Sequence, residues 1–390
     1  MNYIEKNILD HLFKWRYYIF LIIITTLAII IRGLFFSVES GDYVCFLSVW
    51  FDTLKQNGGL AGIKTPIGDY NVPYLTILAC LTYLPISSLV SIKLVSIIFD
   101  FFGAITAALI VKKLTSTSNY SNLLAVITYS IIIFLPTVIL NGAAWGQCDF
   151  IYTSFILLSL YLLLNKKHFW SLFVYGIAFS FKLQAIFILP LFIIIYLVNK
   201  DFSILNFLLI PVANLILSLP ALLLGYPLKN LLLVYINQTD TYHNLTMNFP
   251  NIYNLMHNYY DLLKLPGIIF TLTVVGTFTM IVWSTKKRIS NKDLITYSLW
   301  LVLTITFFLP GMHDRYLFVA DILSVIYVII NRKNFYLPIF INFTSFSTYI
   351  IFLFGMPSSN ITLLTYVYLI ILSTFTLQII KDIFSNKKTS

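Results

Sequence analysis

Apolar runs of roughly 20 residues follow one another from end to end of this chain, separated by short polar segments. As a helix, each is long enough to cross about 30 Å of hydrocarbon, where every backbone N–H and C=O must be paired within its own segment. The pattern implies an all-α integral membrane protein, expected to be a bundle of about 12 transmembrane helices. Only 10% of the 390 residues are charged and 59% are hydrophobic, whereas soluble domains carry about a quarter charged residues. The net charge of +10 would suit nucleic acid in a soluble protein. Here the cations sit in clusters between apolar runs, which is how membrane topology is encoded, so no nucleic-acid partner is expected.

The expected spans are about 17–36, 88–111, 119–139, 149–164, 169–182, 185–199, 203–224, 265–284, 293–310, 316–331, 335–354 and 361–380. With this parity, 17 of the 25 Lys and Arg residues fall on the side of the two termini. The clusters are Lys6 to Arg16, Lys112 and Lys113, Lys166 and Lys167, Lys200, Lys286 to Lys292, Arg332 and Lys333, and Lys381 to Lys388. That side is therefore expected to be cytoplasmic. The chain reads as one polytopic domain, 1–390, with a cytoplasmic tail over 1–16, a first outer loop over 37–87 and a second large one over 225–264. The polar start before an uncleaved first span reads as a signal anchor. In the first outer loop, 42–57 has Tyr43, Phe46, Leu47, Trp50, Phe51 and Leu54 at helical spacing with Asp52 and Lys55 opposite, predicting an amphipathic surface helix. The apolar stretch 73–87, bounded by Pro73 and Pro85, is too short for a span and is expected to be interfacial or re-entrant.

Cys45, Cys80 and Cys148 lack metal or disulfide spacing, and the chain has no Walker loop, dinucleotide glycines, zinc spacing or nucleophile elbow. Codon-driven richness in Ile, Asn and Lys points to a bacterial cell membrane. Lys387-Lys388 and the sequons at Asn237 and Asn244 leave the endoplasmic reticulum as the alternative.

The polar residues that remain gather on the predicted outer side. Asp42, in Gly41-Asp42-Tyr43, reads either as a general base for a hydroxyl or as a helix cap. Asp69 and Tyr70, in Gly68-Asp69-Tyr70-Asn71-Val72-Pro73, form a turn that could also grip sugar hydroxyls or a metal. Trp145, Gln147 and Asp149 sit in Asn141-Gly142-Ala143-Ala144-Trp145-Gly146-Gln147-Cys148-Asp149, a loop offering a ring face for a sugar or lipid head, or an interfacial tryptophan belt. Lys182 and Gln184 break a long apolar run, and a lone outer Lys suits either phosphate or interfacial anchoring. His313, Arg315 and Tyr316 belong to Pro310-Gly311-Met312-His313-Asp314-Arg315-Tyr316, where imidazole moves protons near neutral pH and guanidinium grips phosphate, unless the loop is internally paired. The stretch 235–259, with Gln238, Tyr242 and Asn248, is rich in hydroxyls and amides. Arg32 either binds a lipid phosphate or snorkels, while Asp100 and Asp321, inside spans, need partners.

Together these residues resemble the GT-C superfamily of polytopic glycosyltransferases. Gly41-Asp42-Tyr43 followed by Gly68-Asp69-Tyr70-Asn71-Val72-Pro73 is similar to the first outer loop of the dolichyl-phosphate-glucose-dependent glucosyltransferases. Trp145-Gly146-Gln147-Cys148-Asp149, Phe181-Lys182-Leu183-Gln184-Ala185 with Pro190, Asn248-Phe249-Pro250-Asn251-Ile252-Tyr253 and His313-Asp314-Arg315-Tyr316-Leu317-Phe318 resemble the bacterial branch related to the GPI-anchor mannosyltransferases. The resemblance covers about 30–320. It departs at Val72-Pro73, where the family has Pro-Pro, and at Leu183, where proline commonly follows the lysine.

The resemblance implies a hexose donor on polyprenyl phosphate, a glycan or cell-wall acceptor outside the cytoplasm, inversion at the anomeric carbon, and Asp42 as catalytic base. Asp69 matches the family's second loop carboxylate. Arg315, with Lys182 or Arg32, is expected to meet the phosphate, with no cofactor and no required divalent metal. The competing readings are a lipid-linked glycan flippase or other transporter, and a polysaccharide polymerase.

Overall fold

The computed structural model describes residues 3–239 and 241–385; Lys387 and Lys388, and the dilysine pattern they form, lie outside the described residues. α1 (Tyr3–Gly33) contains the first expected span but starts well before it. Tyr3 to Arg16 contains no Gly or Pro to stop a helix, so the expected tail over 1–16 is a helical extension of the span from Tyr3 onward.

The segment expected as the first outer loop is itself folded. A π-turn (Tyr43–Leu47) runs into α2 (Ser48–Gln56), which buries Trp50, Phe51 and Leu54 and exposes Asp52 and Lys55, as an amphipathic helix must. A 3₁₀ turn (Gly59–Lys64) leads to α3 (Val72–Leu81), started by Asn71, whose side-chain oxygen accepts from the Val72 amide at 2.9 Å. Ten residues span about 15 Å, too little to cross a bilayer. α3 buries six residues, from Val72 to Ala79, and so packs within the bundle rather than along its surface.

α4 (Ser88–Leu114) and α5 (Ser121–Phe134) follow, and Pro136 then breaks the helix. The chain bends by 52° into α6 (Pro136–Ile139) and a π-turn (Leu140–Trp145), which closes on Gly146 at φ +76°. Next come α7 (Asp149–Leu164), α8 (His168–Phe181), a 3₁₀ turn (Leu183–Ile188), α9 (Leu189–Asn199), α10 (Leu209–Leu223) and α11 (Leu228–Gln238). The remainder comprises β1 (Thr246–Met247), α12 (Tyr260–Ser284), α13 (Asn291–Phe308), β2 (Met312–His313), α14 (Phe318–Asn331), α15 (Tyr336–Phe354) and α16 (Ile361–Ser385).

Every expected span is mainly helix, but not every one is a span by length and composition. Among the described residues six helices qualify: Glu5–Gly33, Ser88–Leu114, Ile204–Leu223, Tyr260–Ser284, Tyr336–Phe354 and Ile361–Ser385. A seventh is the bent pair Ser121–Phe134 and Pro136–Trp145, if it counts as one. The expected spans at 149–164, 169–182, 185–199 and 316–331 are helices or helix pairs of 10–17 residues, and α13 is not among the six. α7, α13 and α14 are buried on nearly every face, so their apolar character serves helix–helix contact.

The basic clusters also converge. Lys14, Arg16 and Lys112 line one cavity, while Lys287, Arg288, Lys292 and Lys333 line another, where Arg288 pairs with Asp201 at 2.6 Å.

Candidate functional site

The segment that carries Asp42 is fastened at both ends. Buried Lys93 of α4 donates to the Phe35 carbonyl at 2.7 Å and the Val38 carbonyl at 2.5 Å. Ser40 Oγ donates to the Trp145 carbonyl at 2.8 Å and accepts the Tyr43 amide at 3.1 Å. These contacts set Asp42 opposite the π-turn after α6. There the Gln147 amide donates to the Asn141 carbonyl at 2.9 Å, and the left-handed Gly146 turns Gln147 inward.

Asp42 Oδ2 accepts three hydrogen bonds: from Trp145 Nε1 at 2.9 Å, Gln147 Nε2 at 2.6 Å and an Arg315 terminal nitrogen at 2.5 Å. Oδ1 receives none of the three. Arg315 lies with its guanidinium carbon 4.9 Å from the centre of the Trp145 ring, which is itself stacked on Phe352 at 4.6 Å. Its Nε is buried without a hydrogen-bond partner, 3.9 Å from both Asp149 Oδ2 and Asp314 Oδ1.

Lys182 sits in extended backbone between α8 and the following 3₁₀ turn. Its ammonium pairs with Asp149 Oδ1 and lies 5.7 Å from the Tyr70 ring centre. Asn141 donates to the other Asp149 oxygen at 2.8 Å. Tyr70 donates to Gln147 Oε1 at 3.1 Å. The segment expected as the second outer loop closes over this floor through a short parallel pairing, Thr246 with Met312 and Met247 with His313. It is tied further by the Gly311 amide donating to the Leu245 carbonyl at 2.8 Å. Gln238, at the end of α11, donates to the Asp69 carbonyl. His313 is flanked by the Tyr242 and Tyr316 rings, 5.5 and 5.2 Å from its own centre.

The result is a cavity of about 340 Å³. Of the residues singled out from the sequence, Asp42, Asp69, Tyr70, Trp145, Gln147 and Lys182 line it, and so do Gln184, Tyr242, Asn248, His313, Arg315 and Tyr316. Asp149 does not. It lies behind the wall, where it anchors Lys182 and faces Arg315. Arg32 is elsewhere, which corrects its expected role at the phosphate. It is fully buried, its Nε 2.9 Å from Asp100 Oδ2, and it donates to the Ala28 and Ile133 carbonyls, joining α1 to α4 and α5. It therefore neither snorkels nor reaches the cavity.

Trp50, Gln238 and Asp314, which the sequence placed in the surface helix, the polar stretch and the His313 motif without singling them out, also line the cavity, as do Thr241, Met247 and Phe352, which it missed. Asp314 stands inside a motif already noticed. Phe352 sits in an ordinary apolar run, and nothing local marks it.

Burial dominates the electrostatics. It pushes the His313 imidazole down to about 3, helped by the Arg315 and Lys182 cations, so His313 is neutral at pH 7. In that state it can donate or accept a hydrogen bond. Burial pushes the Asp314 carboxyl up to about 7 despite Arg315. It also raises Asp69, against an opposing backbone hydrogen bond and the Lys182 and Arg315 charges. Among the described residues, no group of three or more His, Cys, Asp or Glu is arranged to hold a metal ion.

A second cavity of about 300 Å³ adjoins the first and shares Gln184, Gln238, Tyr242, Met247, His313 and Tyr316 with it. Its own walls are largely apolar, from Leu183, Ile186, Phe187, Ile268, Leu309 and Met312, with Lys264 as its cation. A polar chamber, holding the cations Lys182 and Arg315 and the carboxyl groups of Asp42, Asp69 and Asp314, thus opens beside an oily one. No protein-family model matches the chain, and no curated protein is significantly similar to it in sequence.

Proposed function

We propose that the paired cavities form the active site of a membrane glycosyltransferase of GT-C type, which moves a hexose from a polyprenyl-phosphate donor to a glycan or cell-surface acceptor. The observation that carries this reading is the convergence of Asp42, Lys182 and Arg315 on one chamber that adjoins an apolar one. A lipid-linked sugar has the same division, with a polar head, an anionic phosphate and a hydrocarbon chain. Tyr70 and the amides of Gln147, Gln184 and Asn248 suit a sugar's hydroxyls and C–H faces, whereas Trp145, buried against Phe352 and Arg315, offers its indole N–H to Asp42 rather than a free ring face.

In the reaction, the acceptor hydroxyl gives its proton to Asp42 while its oxygen bonds to the anomeric carbon from the face opposite the phosphate. The bond from that carbon to the phosphate oxygen breaks, and polyprenyl phosphate leaves with two negative charges, inverting the configuration. Asp42 Oδ1 is the oxygen for the proton, because the three donors on Oδ2 fix the carboxylate without using it. Arg315 and Lys182, which both line the chamber, stabilise the charge growing on the phosphate. No metal is needed for that charge balance. The finer topology belongs to the same proposal: about 12 crossings, termini cytoplasmic, and the cavity opening outside, where nucleotide sugars are absent and lipid-linked ones are the available donors.

The test is reconstituted protein supplied with a synthetic polyprenyl-phosphate hexose. Release of polyprenyl phosphate together with a glycosylated acceptor is expected. Asp42→Asn should lower the rate by roughly 10²–10⁴-fold with an unchanged unfolding profile. Near-normal transfer by that variant, with loss in Asp69→Asn instead, would move the base to Asp69. Passage of the lipid between leaflets without phosphate release would replace the transferase with a flippase.

A further inference from the structure

α1 leaves the bundle at one end. Its outer half is held by polar contacts: Arg32 to Asp100 and the Ile133 carbonyl, and Thr25 to the Tyr129 hydroxyl at 2.7 Å. Toward the N-terminus, the helix diverges from α4 and α5 and leaves a wedge of about 660 Å³ between the three. Its walls are apolar, formed by Leu21, Ile105, Ala108, Leu109, Ala125 and Val126. Its rim carries Lys14, Arg16 and Lys112, with no acidic residue among the lining groups. Lys14 and Lys112 are exposed, while Arg16 is braced by the Phe13 carbonyl at 2.6 Å and by the Phe13 and Tyr17 rings. Lys14 and Thr25 are eleven residues apart, so the wedge runs about 16 Å along α1. That is about half the hydrocarbon thickness, the depth of one leaflet.

We propose that this wedge binds an anionic phospholipid, its phosphate on Lys14, Arg16 and Lys112 and an acyl chain between α1, α4 and α5. The charge complementarity selects the occupant. Apolar walls alone would accept any lipid tail or a helix of a second copy, whereas three cations at the mouth, at headgroup depth, favour an anionic head. The site is independent of the glycosyltransferase reading, because none of its residues lines the paired cavities.

The experiment uses the full chain in nanodiscs of phosphatidylcholine with phosphatidylglycerol, transferred to detergent, with retained lipid read by native mass spectrometry. Wild type should retain phosphatidylglycerol in preference to phosphatidylcholine. In Lys14→Gln/Lys112→Gln that retention should weaken roughly thirtyfold, as expected for two surface cations. Leu109→Trp, which fills the wedge without touching its charge, should displace the lipid as well and serves if the double variant folds poorly. Equal retention of the two lipids, equal retention by wild type and both variants, or a protein dimer in place of bound lipid would overturn the proposal. So would full competition by soluble glycerol phosphate, which would mark a free-phosphate site instead.

Discussion

Asp314 is where pH enters the site. Its carboxyl titrates at about 7, above the ordinary value of about 3.9, so the folded protein holds this proton longer than the unfolded chain does. The sign follows: its contribution to stability is greatest at low pH, falls between about pH 4 and 7, and is flat above. In the cavity, the same deprotonation adds negative charge beside Asp42 and Arg315. Donor affinity should therefore fall as pH rises through 7, on the order of tenfold for a unit charge at an effective dielectric of about 20. Asp314→Asn should flatten that fall, with KM for the lipid-linked donor measured between about pH 6 and 8 as the check. A pH profile unaltered by the substitution would leave Asp314 without this role. His313 and Arg315 beside it were legible in the sequence because a polar group in so oily a chain is costly and stands out. Arg32 was misread by the same logic. A lone arginine near a span end looks alike whether it faces lipid phosphate or a carboxylate 68 residues away.

Helices were legible as helices, and the breaks at Gly146 and the polar Lys182 were legible as breaks; the 52° bend at Pro136 was not, since the expected span 119–139 ran straight across it. Helix lengths relative to a membrane were less legible. An apolar run reads the same whether it meets lipid or other helices, and α7 and α14, with 16 and 14 residues, bury most of their side chains within the bundle. The contact of α8 with α10 shows how tightly such helices pack. A Cβ on Gly176 would lie 2.8 Å from the Ile210 Cα, 2.9 Å from its carbonyl oxygen and 2.8 Å from the Ala213 Cβ. Because backbone cannot step aside alone, Gly176→Ala should force the helices apart and cost roughly 1–3 kcal/mol. Gly276, in α12, has nothing within 4 Å of its would-be Cβ, so Gly276→Ala should stabilise by up to about 1 kcal/mol through helix propensity. Thermal unfolding in detergent reads both, and a neutral Gly176→Ala would refute the close crossing.

For the molecule as a whole, the proposed orientation has a direct readout. Cys45 is exposed near the cavity, Cys80 is exposed and Cys148 is buried. With Cys80→Ser as background, an impermeant maleimide should label Cys45 in right-side-out vesicles without lysis. A reporter at Lys287→Cys, in a protein lacking both exposed cysteines, should label only after lysis. The reverse pattern would invert the charge-based topology. At this scale the sequence supplied an order of polar segments, and the structure supplied their convergence. Asp42 meets Trp145, Gln147 and Arg315 across 103, 105 and 273 residues.

By itself the sequence determined the solvent this chain is suited to, the helical state of its apolar runs and the places where those runs stop. Those properties are local, set by transfer of side chains and backbone into hydrocarbon. The tertiary structure alone decided that Arg32 belongs to Asp100, that Asp149 stands behind the cavity wall, and that an apolar chamber lies beside a polar, charged one. Those outcomes depend on which helix faces pack together, a choice spread over many distant residues that no local period encodes.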